Sequence, residues 1–229
     1  MTDGELPVTR PVIRRFEAGE WKQYRALRLE MLEDAPTAYV ESLDSAREQT
    51  DRQWQERAAL MAASGCVSLV AGDAAEPADS PHSASPLPAG GVPAEVKVPA
   101  GEDLAAARLR ALMRVVPKVP QDPDRPRQAV LLSVYVGPEL RGSGLADEML
   151  RRAIAGARDE LGAVVLELGV HEANGRAQAF YSRHGFKDTG RREPYPLDPD
   201  RSEIIMELPL DAPCALEAPE ATEAPAEYS

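Results

Sequence analysis

Between Ala129 and Leu161 the hydrophobic period changes once, and that change calls for a strand, a tight loop and a helix in immediate succession. Ala129 to Val136 is an apolar, partly β-branched run. Gly137-Pro138-Glu139-Leu140 interrupts it, and Arg141-Gly142-Ser143-Gly144-Leu145-Ala146 follows. From Ser143 to Leu161 a helix is predicted, with Leu145, Met149, Leu150, Ile154 and Ala157 on one face. A helix start offers unpaired amides and the positive end of a dipole, which suits an anion. Glycines at 142 and 144 let a diphosphate approach those amides, Arg141 adds charge and Ser143 a hydroxyl. A Gly-containing turn with no ligand fits the same spacing. Two better-known phosphate loops are excluded. There is no Gly-Lys-Ser/Thr, and Asp147 stands where the third glycine of Gly-x-Gly-x-x-Gly should be.

Upstream, Val8 to Phe16 reads as a first strand, Glu17 to Glu33 as a helix stopped by Pro36, and Asp51 to Ala63 as a second helix capped by Thr50 or Asp51. Cys66 to Ala71 reads as a strand, Glu102 to Met113 as helical by propensity, and Arg114 to Val119 as an edge strand demoted by Pro117 and Pro120. Downstream, Ala163 to Val170 is a strand and Asn174 caps a helix to Arg183 that Gly185 ends. Phe186 to Arg192 and Glu203 to Leu208 are the last strands. Pro194, Pro196 and Pro199 place a loop from Glu193 to Asp200 between them.

Charge and cysteine content narrow the function classes. The 229 residues carry a net charge of -12, which argues against a nucleic-acid partner needing a basic surface and leaves room for a cationic one. No apolar run is long enough to span a bilayer and no signal-peptide pattern is present, so no membrane partner and a cytoplasmic location are expected. Cys66 and Cys214 lie far apart, which suits neither a disulfide nor a metal site.

A second constellation joins the first. Asn174 and Tyr181 are seven residues apart, on one face of the capped helix, followed by Gly185-Phe186. Tyr181 fits either a packed core position or a proton donor to a leaving thiolate. Together the two constellations resemble the GNAT family of N-acetyltransferases. Arg141, Gly144 and Ala146 fill that family's Arg/Gln-x-x-Gly-x-Gly/Ala signature, and Asn174, Tyr181 and Gly185-Phe186 fill its later segment. Ile204 to Leu210 is similar to the terminal strand of the ribosomal-protein N-terminal acetyltransferase branch, and Arg25 to Ala38 to the first-helix region of many members. The likeness covers about residues 8 to 72 and 128 to 210.

The resemblance implies an α/β acyl-CoA N-acyltransferase fold, with a mixed, mostly antiparallel splayed sheet of six or seven strands and helices on both faces. It implies acetyl-CoA as co-substrate and direct attack by a primary amine, from a small molecule or a peptide N-terminus. Backbone groups of Val134, Tyr135 and Val136 would bond the pantetheine arm. Arg141, Gly142, Ser143, Gly144, Leu145, Ala146 and Asp147 would hold the pyrophosphate, Asn174 would bond the cofactor, and Tyr181 would be the general acid. No metal is implied, and a homodimer is compatible. A non-catalytic acyl-CoA-binding regulatory protein of the same fold is the alternative.

Two departures from the family pattern stand out. Some relatives place a Glu five residues before the Asn, where this chain has Gly169. Glu167 and His171 share the face of Gly169 and are candidates for the base, with Glu172 and Ser133 behind them. The family's short turn between its second and third strands is replaced by a Pro/Ala-rich stretch at about 73 to 127. One domain over residues 1 to 210 with that insertion, and an acidic disordered tail over 211 to 229, is the expected organisation.

Overall fold

The computed structural model describes residues 11–73, 108–118 and 127–210. In chain order these form β1 (Val12–Arg15), α1 (Trp21–Asp34), α2 (Leu43–Arg47), α3 (Asp51–Ala62), β2 (Val67–Gly72), β3 (Leu109–Lys118), β4 (Gln128–Val136), α4 (Leu145–Asp159), β5 (Val165–His171), α5 (Gly175–Arg183), β6 (Lys187–Tyr195) and β7 (Asp198–Pro209). The seven strands make one sheet in the order β1-β2-β3-β4-β5-β7-β6. Only β4 and β5 run parallel, and every other neighbouring pair is antiparallel. The architecture is the mixed, mostly antiparallel sheet that the sequence predicts.

Two apolar layers hold the helices to the sheet. One face buries Leu69, Met113, Leu131 and Leu168 under Met149 and Leu150 of α4 and Tyr181 of α5. The other buries Val70, Leu112 and Tyr135 under Leu27 and Met31 of α1 and Trp54 of α3. Thr50, not Asp51, caps α3: its hydroxyl accepts from the Gln53 amide while the Gln53 side chain returns to the Thr50 amide. No helix of the described residues is long and apolar enough to cross a membrane.

Three expectations are corrected. Residues 109–113, read as helical, are the start of β3. Leu-Arg-Ala-Leu-Met favours a helix by propensity, but strands on both sides and apolar layers on both faces override it. Nor is β3 an edge strand. Its pairing with β2 has ended at Val115, so Pro117 is opposed only by Ala129 of β4. The prolines after Glu193 do not open a long loop: β6 and β7 stay paired to Tyr195↔Asp198 around a tight turn. β6 is the sheet's outer strand, where a missing donor costs little. The five-residue helix α2 carried no recognised signal.

The first-strand residues Val8 to Arg10, the helical reading at 102–107 and the acidic tail fall outside the described residues. Asp73 and Arg108, which flank 74–107, are joined by a hydrogen bond of 3.4 Å from the Asp73 amide to the Arg108 carbonyl. Gly72 has no side chain at that junction, where a Cβ would come within 2.4 Å of the same carbonyl. The β2–β3 connection therefore leaves and re-enters the sheet at one point.

Candidate active site

A fork in the sheet organises the site. β4 pairs with β5 only through Gln128–Val130 and Val165–Glu167, and beyond those residues the strands separate. The cause lies in β4. Three steps from Leu132 to Tyr135 oppose two steps from Arg114 to Leu112, so β4 carries one extra residue, and Ser133 sits at φ 52, left-handed and non-glycine. This bulge inverts the side-chain alternation. Ala129 and Leu131 pack toward α4 and α5, whereas Tyr135 packs toward α1 and α3. Past the fork, the backbone groups of Val134, Tyr135 and Val136 that face β5 lack ladder partners there. The Val134 carbonyl accepts the Tyr39 hydroxyl at 3.1 Å, and the Val136 carbonyl accepts Arg141 Nε at 3.1 Å.

The loop after β4 builds a cradle at the start of α4. Gly142 and Gly144 have φ of 81° and 83°, and a Cβ on either would meet nothing within 4 Å. The first-turn amides of Ala146 and Asp147 have no intrahelical acceptor by helix geometry. Ser143 Oγ donates to the Leu140 carbonyl and accepts the Leu145 amide, so its hydroxyl shapes the loop. The Leu145 side chain is buried in the core, and the Asp147 carboxylate is held by His184 Nε2 at 2.8 Å. Arg141 pairs with Asp34 of α1. The open space, the glycines and the free amides fit a diphosphate.

Across the fork, Asn174 caps α5 by accepting the Ala177 amide at 3.1 Å. Its side-chain NH2 is not used in the cap. Tyr181 lies one face along, packed edge-on against Phe180 and Phe186, and burial pushes its phenol well up. Tyr39 is buried beside it and raised for the same reason.

Glu167 and His171 are both engaged in structural contacts. Burial alone would raise the Glu167 carboxyl, but Lys118 at 2.6 Å and Arg191 hold it low. A carboxylate so paired is a weak proton acceptor. His171 accepts the Ala173 amide on Nδ1 at 3.2 Å and rests edge-on against Tyr195. That bond puts the proton of the neutral ring on Nε2, leaving no free lone pair. Glu172 is paired with Arg201 at 3.5 Å.

Residues 106–186 match the model of the Acetyltransferase (GNAT) family. Over those residues the chain is similar to that family. Uncharacterized N-acetyltransferases of Mycobacterium tuberculosis and Mycobacterium bovis are 39% identical to this chain over 66 residues, 29% of this chain and 42% of theirs. The chain thus spans less than half the length of these curated relatives. Among solved structures, a GNAT acetyltransferase from Streptococcus pneumoniae aligns with a TM-score of 0.58 at 17% identity, over 88% of this chain and all of that one. The putative acetyltransferase yncA from Salmonella typhimurium, solved with acetyl-CoA, aligns at 0.55 and 20% identity, over 92% and 99%. Arabidopsis thaliana NAA60, in complex with a bisubstrate analogue, aligns at 0.57 and 11% identity, over 89% and 100%.

The α1–α3 side carries its own set of ion pairs. Glu41 is clamped by Arg28 at 2.8 Å and Arg57 at 2.6 Å, and Asp34 is taken by Arg141. Both acids are thereby neutralised. A cavity of about 320 Å³ lies there, walled by Leu32, Pro36, Leu43 and Leu197 with Glu33, Glu41 and Ser42. The clamp also makes a pH prediction. Burial works to raise the Glu41 carboxyl, but the two guanidiniums hold it below its usual range. Its contribution is therefore full above the unfolded carboxyl value of about 4.3 and is lost as pH falls through the lower folded value. Glu41→Gln is expected to cost about 2 kcal/mol at neutral pH. The deficit should shrink below about pH 4, which urea melts across pH would read.

The sequence pointed to the loop, Asn174 and Tyr181, but not to Tyr39, Tyr195 or the bulge at Ser133. Tyr195 donates to the Tyr39 carbonyl at 2.7 Å, tying the β6–β7 turn to α1's following segment. No periodic signal marks such a contact between residues so far apart in the chain.

Proposed function

We propose that this domain is an acetyl-CoA-dependent N-acetyltransferase acting on a primary amine attached to an apolar group. The observation that carries the reading is the pairing of a glycine cradle at the α4 N-terminus with a strand fork lined by backbone without β5 ladder partners on one side and Tyr181 on the other. Acetyl-CoA would supply the activated acyl group. The amides of Gly142, Gly144, Ala146 and Asp147 would bind its pyrophosphate, with Arg141 released from Asp34 to join them. Backbone groups of Val134 to Val136 would hold the pantetheine arm, with Asn174 as a further polar contact. A β4 amide next to the bulge would polarise the thioester carbonyl. Tyr181, neutral because it is buried, would offer its hydroxyl proton to the leaving sulfur.

The cavity supports a reading of the acceptor class. Its walls are mainly apolar, and Glu41 beside it is already satisfied by two arginines. This supports an amine next to an aliphatic or aromatic group, from a small molecule or the first residue of a peptide, over a polyamine. Calorimetry with acetyl-CoA, ATP and NAD, followed by free-thiol release with phenethylamine, a leucine-headed tetrapeptide and spermidine, tests the proposal. Binding of acetyl-CoA alone, with thiol release from the first two amines, is expected. Acetyl-CoA binding with no release from any amine would replace the enzyme by a non-catalytic acyl-CoA binder. Tyr181→Phe is expected to lower kcat about 100-fold with acetyl-CoA affinity unchanged, a split that stopped-flow thiol detection and calorimetry together resolve.

A further inference from the structure

We infer that Glu203 of β7 is the base that takes the amine's proton, its carboxylate reaching from the neighbouring strand over the space left by Gly169 of β5. The inference rests on the acyl-transfer reading above. A Cβ added at Gly169 would lie 3.4 Å from Glu203 Cδ and Oε2 and 3.5 Å from Oε1. The carboxylate of one strand thus covers the bare backbone of the next. Gly169 is exposed, and it lies two residues beyond Glu167, the last β5 residue paired with β4. The carboxylate therefore borders the fork on its open side. It also lies on the acceptor side of the sheet, since Glu203 is opposite His171, whose ring meets Tyr195, which in turn bonds the Tyr39 carbonyl.

Glu203 differs from Glu167, Glu172 and Glu207 near it. Those three each have a cationic partner, whereas the Glu203 carboxylate makes no hydrogen bond or ion pair among the described residues. Three titratable groups face it: Glu193, directly opposite on β6, Tyr195 on β6 and His171 on β5. Burial first, then the like charge of Glu193, raise its carboxyl above the ordinary range, against a smaller opposing effect of His171. A raised carboxylate with no cation attached is a better proton acceptor than the paired Glu167. Glu203 first takes the extra proton of the ammonium form, which frees the nitrogen lone pair; as the new N–C bond then forms and the C–S bond breaks, the nitrogen's surplus proton leaves to water. The leaving sulfur takes the Tyr181 proton, and water then returns Glu203 and Tyr181 to their starting states.

The test uses the full chain, with acetyl-CoA and two amines of similar size: ethylamine, protonated at neutral pH, and 2,2,2-trifluoroethylamine, largely neutral there. Glu203→Gln is expected to lower kcat/KM about 100-fold with ethylamine and only slightly with the fluorinated amine, with acetyl-CoA affinity unchanged. Adding Gly169→Glu to that variant, which puts a carboxylate back from the β5 side, should restore much of the ethylamine rate. Independently of activity, the carboxyl 13C signal that Glu203→Gln removes should titrate above about 4.3, and Glu193→Gln should move it down. Equal losses with both amines, or an ordinary titration midpoint, would overturn the assignment. Wild-type protein that binds acetyl-CoA but releases no thiol with either amine would instead bring down the acyl-transfer reading, and this inference with it.

Discussion

Gly144→Asp is expected to weaken acetyl-CoA binding about a thousandfold, roughly 4 kcal/mol, while leaving the fold in place. The backbone at this residue is left-handed, at φ 83°. Asp is one of the few residues that adopts that conformation at modest cost, so the turn should still form. A Cβ here would meet nothing within 4 Å, so the side chain enters the open space before the amides and displaces no core atom. Its carboxylate would then occupy the site meant for a diphosphate and would itself accept the helix-start amides. Like charges brought together in a partly desolvated site cost several kcal/mol. Gly144→Asn has nearly the same shape without the charge and should lose far less. Calorimetry on the two variants and the parent separates charge from shape. If Asn and Asp weakened binding equally, the diphosphate assignment of this cradle would fail, because blockage alone would explain the loss.

How much of this was legible in the sequence depended on whether a residue's role was local. The α4 start and the α5 cap were readable because their chemistry is written within a few residues: Gly142 and Gly144 for the left-handed turns, Asn174 for the Ala177 amide. At α3 the sequence leaves Thr50 and Asp51 open as the cap, and Gln53, which closes a box with Thr50, decides between them. The start of β3 reads as helix because Leu109 to Met113 are helix formers, and only strands distant in sequence, β2 and β4, make them a strand. The β6–β7 hairpin reads as a loop because proline rules apply to interior strands, and nothing local says that β6 lies at the sheet's edge. The bulge is the subtlest case. Its sequence trace is the consecutive Leu131-Leu132, which fits a strand buried on both faces equally well.

The base shows the same limit from the functional side. Strand alternation placed Glu167 and His171 on the face of Gly169, and on spacing alone they were equal to the task. What separates them from Glu203 is partnership: Lys118 and Arg191 come to Glu167 from two other strands, and the Ala173 amide comes to His171 from the turn that follows it. Periodicity finds the face of a strand but not the occupants of its neighbours.

The other large effect concerns stability. Trp54→Ala is expected to lower unfolding free energy by about 3–5 kcal/mol. The indole is fully buried in the α1–α3 layer, with Tyr24 edge-on at 5.6 Å and the Arg57 guanidinium over its ring at 4.7 Å. Its Nε1 has no hydrogen-bond partner among the described residues, so truncation orphans no acceptor and the cost is packing and cavity. The same change removes the surface on which Arg57 rests, and Arg57 helps to hold Glu41 beside the apolar cavity. The consequence should be asymmetric. Tyr39, Arg28 and the cavity belong to the layer that loosens, whereas the α4 start is braced by Met149 and Leu150 on the opposite face of the sheet. In conditions where the variant stays folded, KM for the amine should therefore rise more than the dissociation constant for acetyl-CoA. Urea melts give the first number and paired calorimetry and steady-state rates the second. Parallel losses in both affinities would mean that the two apolar layers behave as one mechanical unit across the sheet.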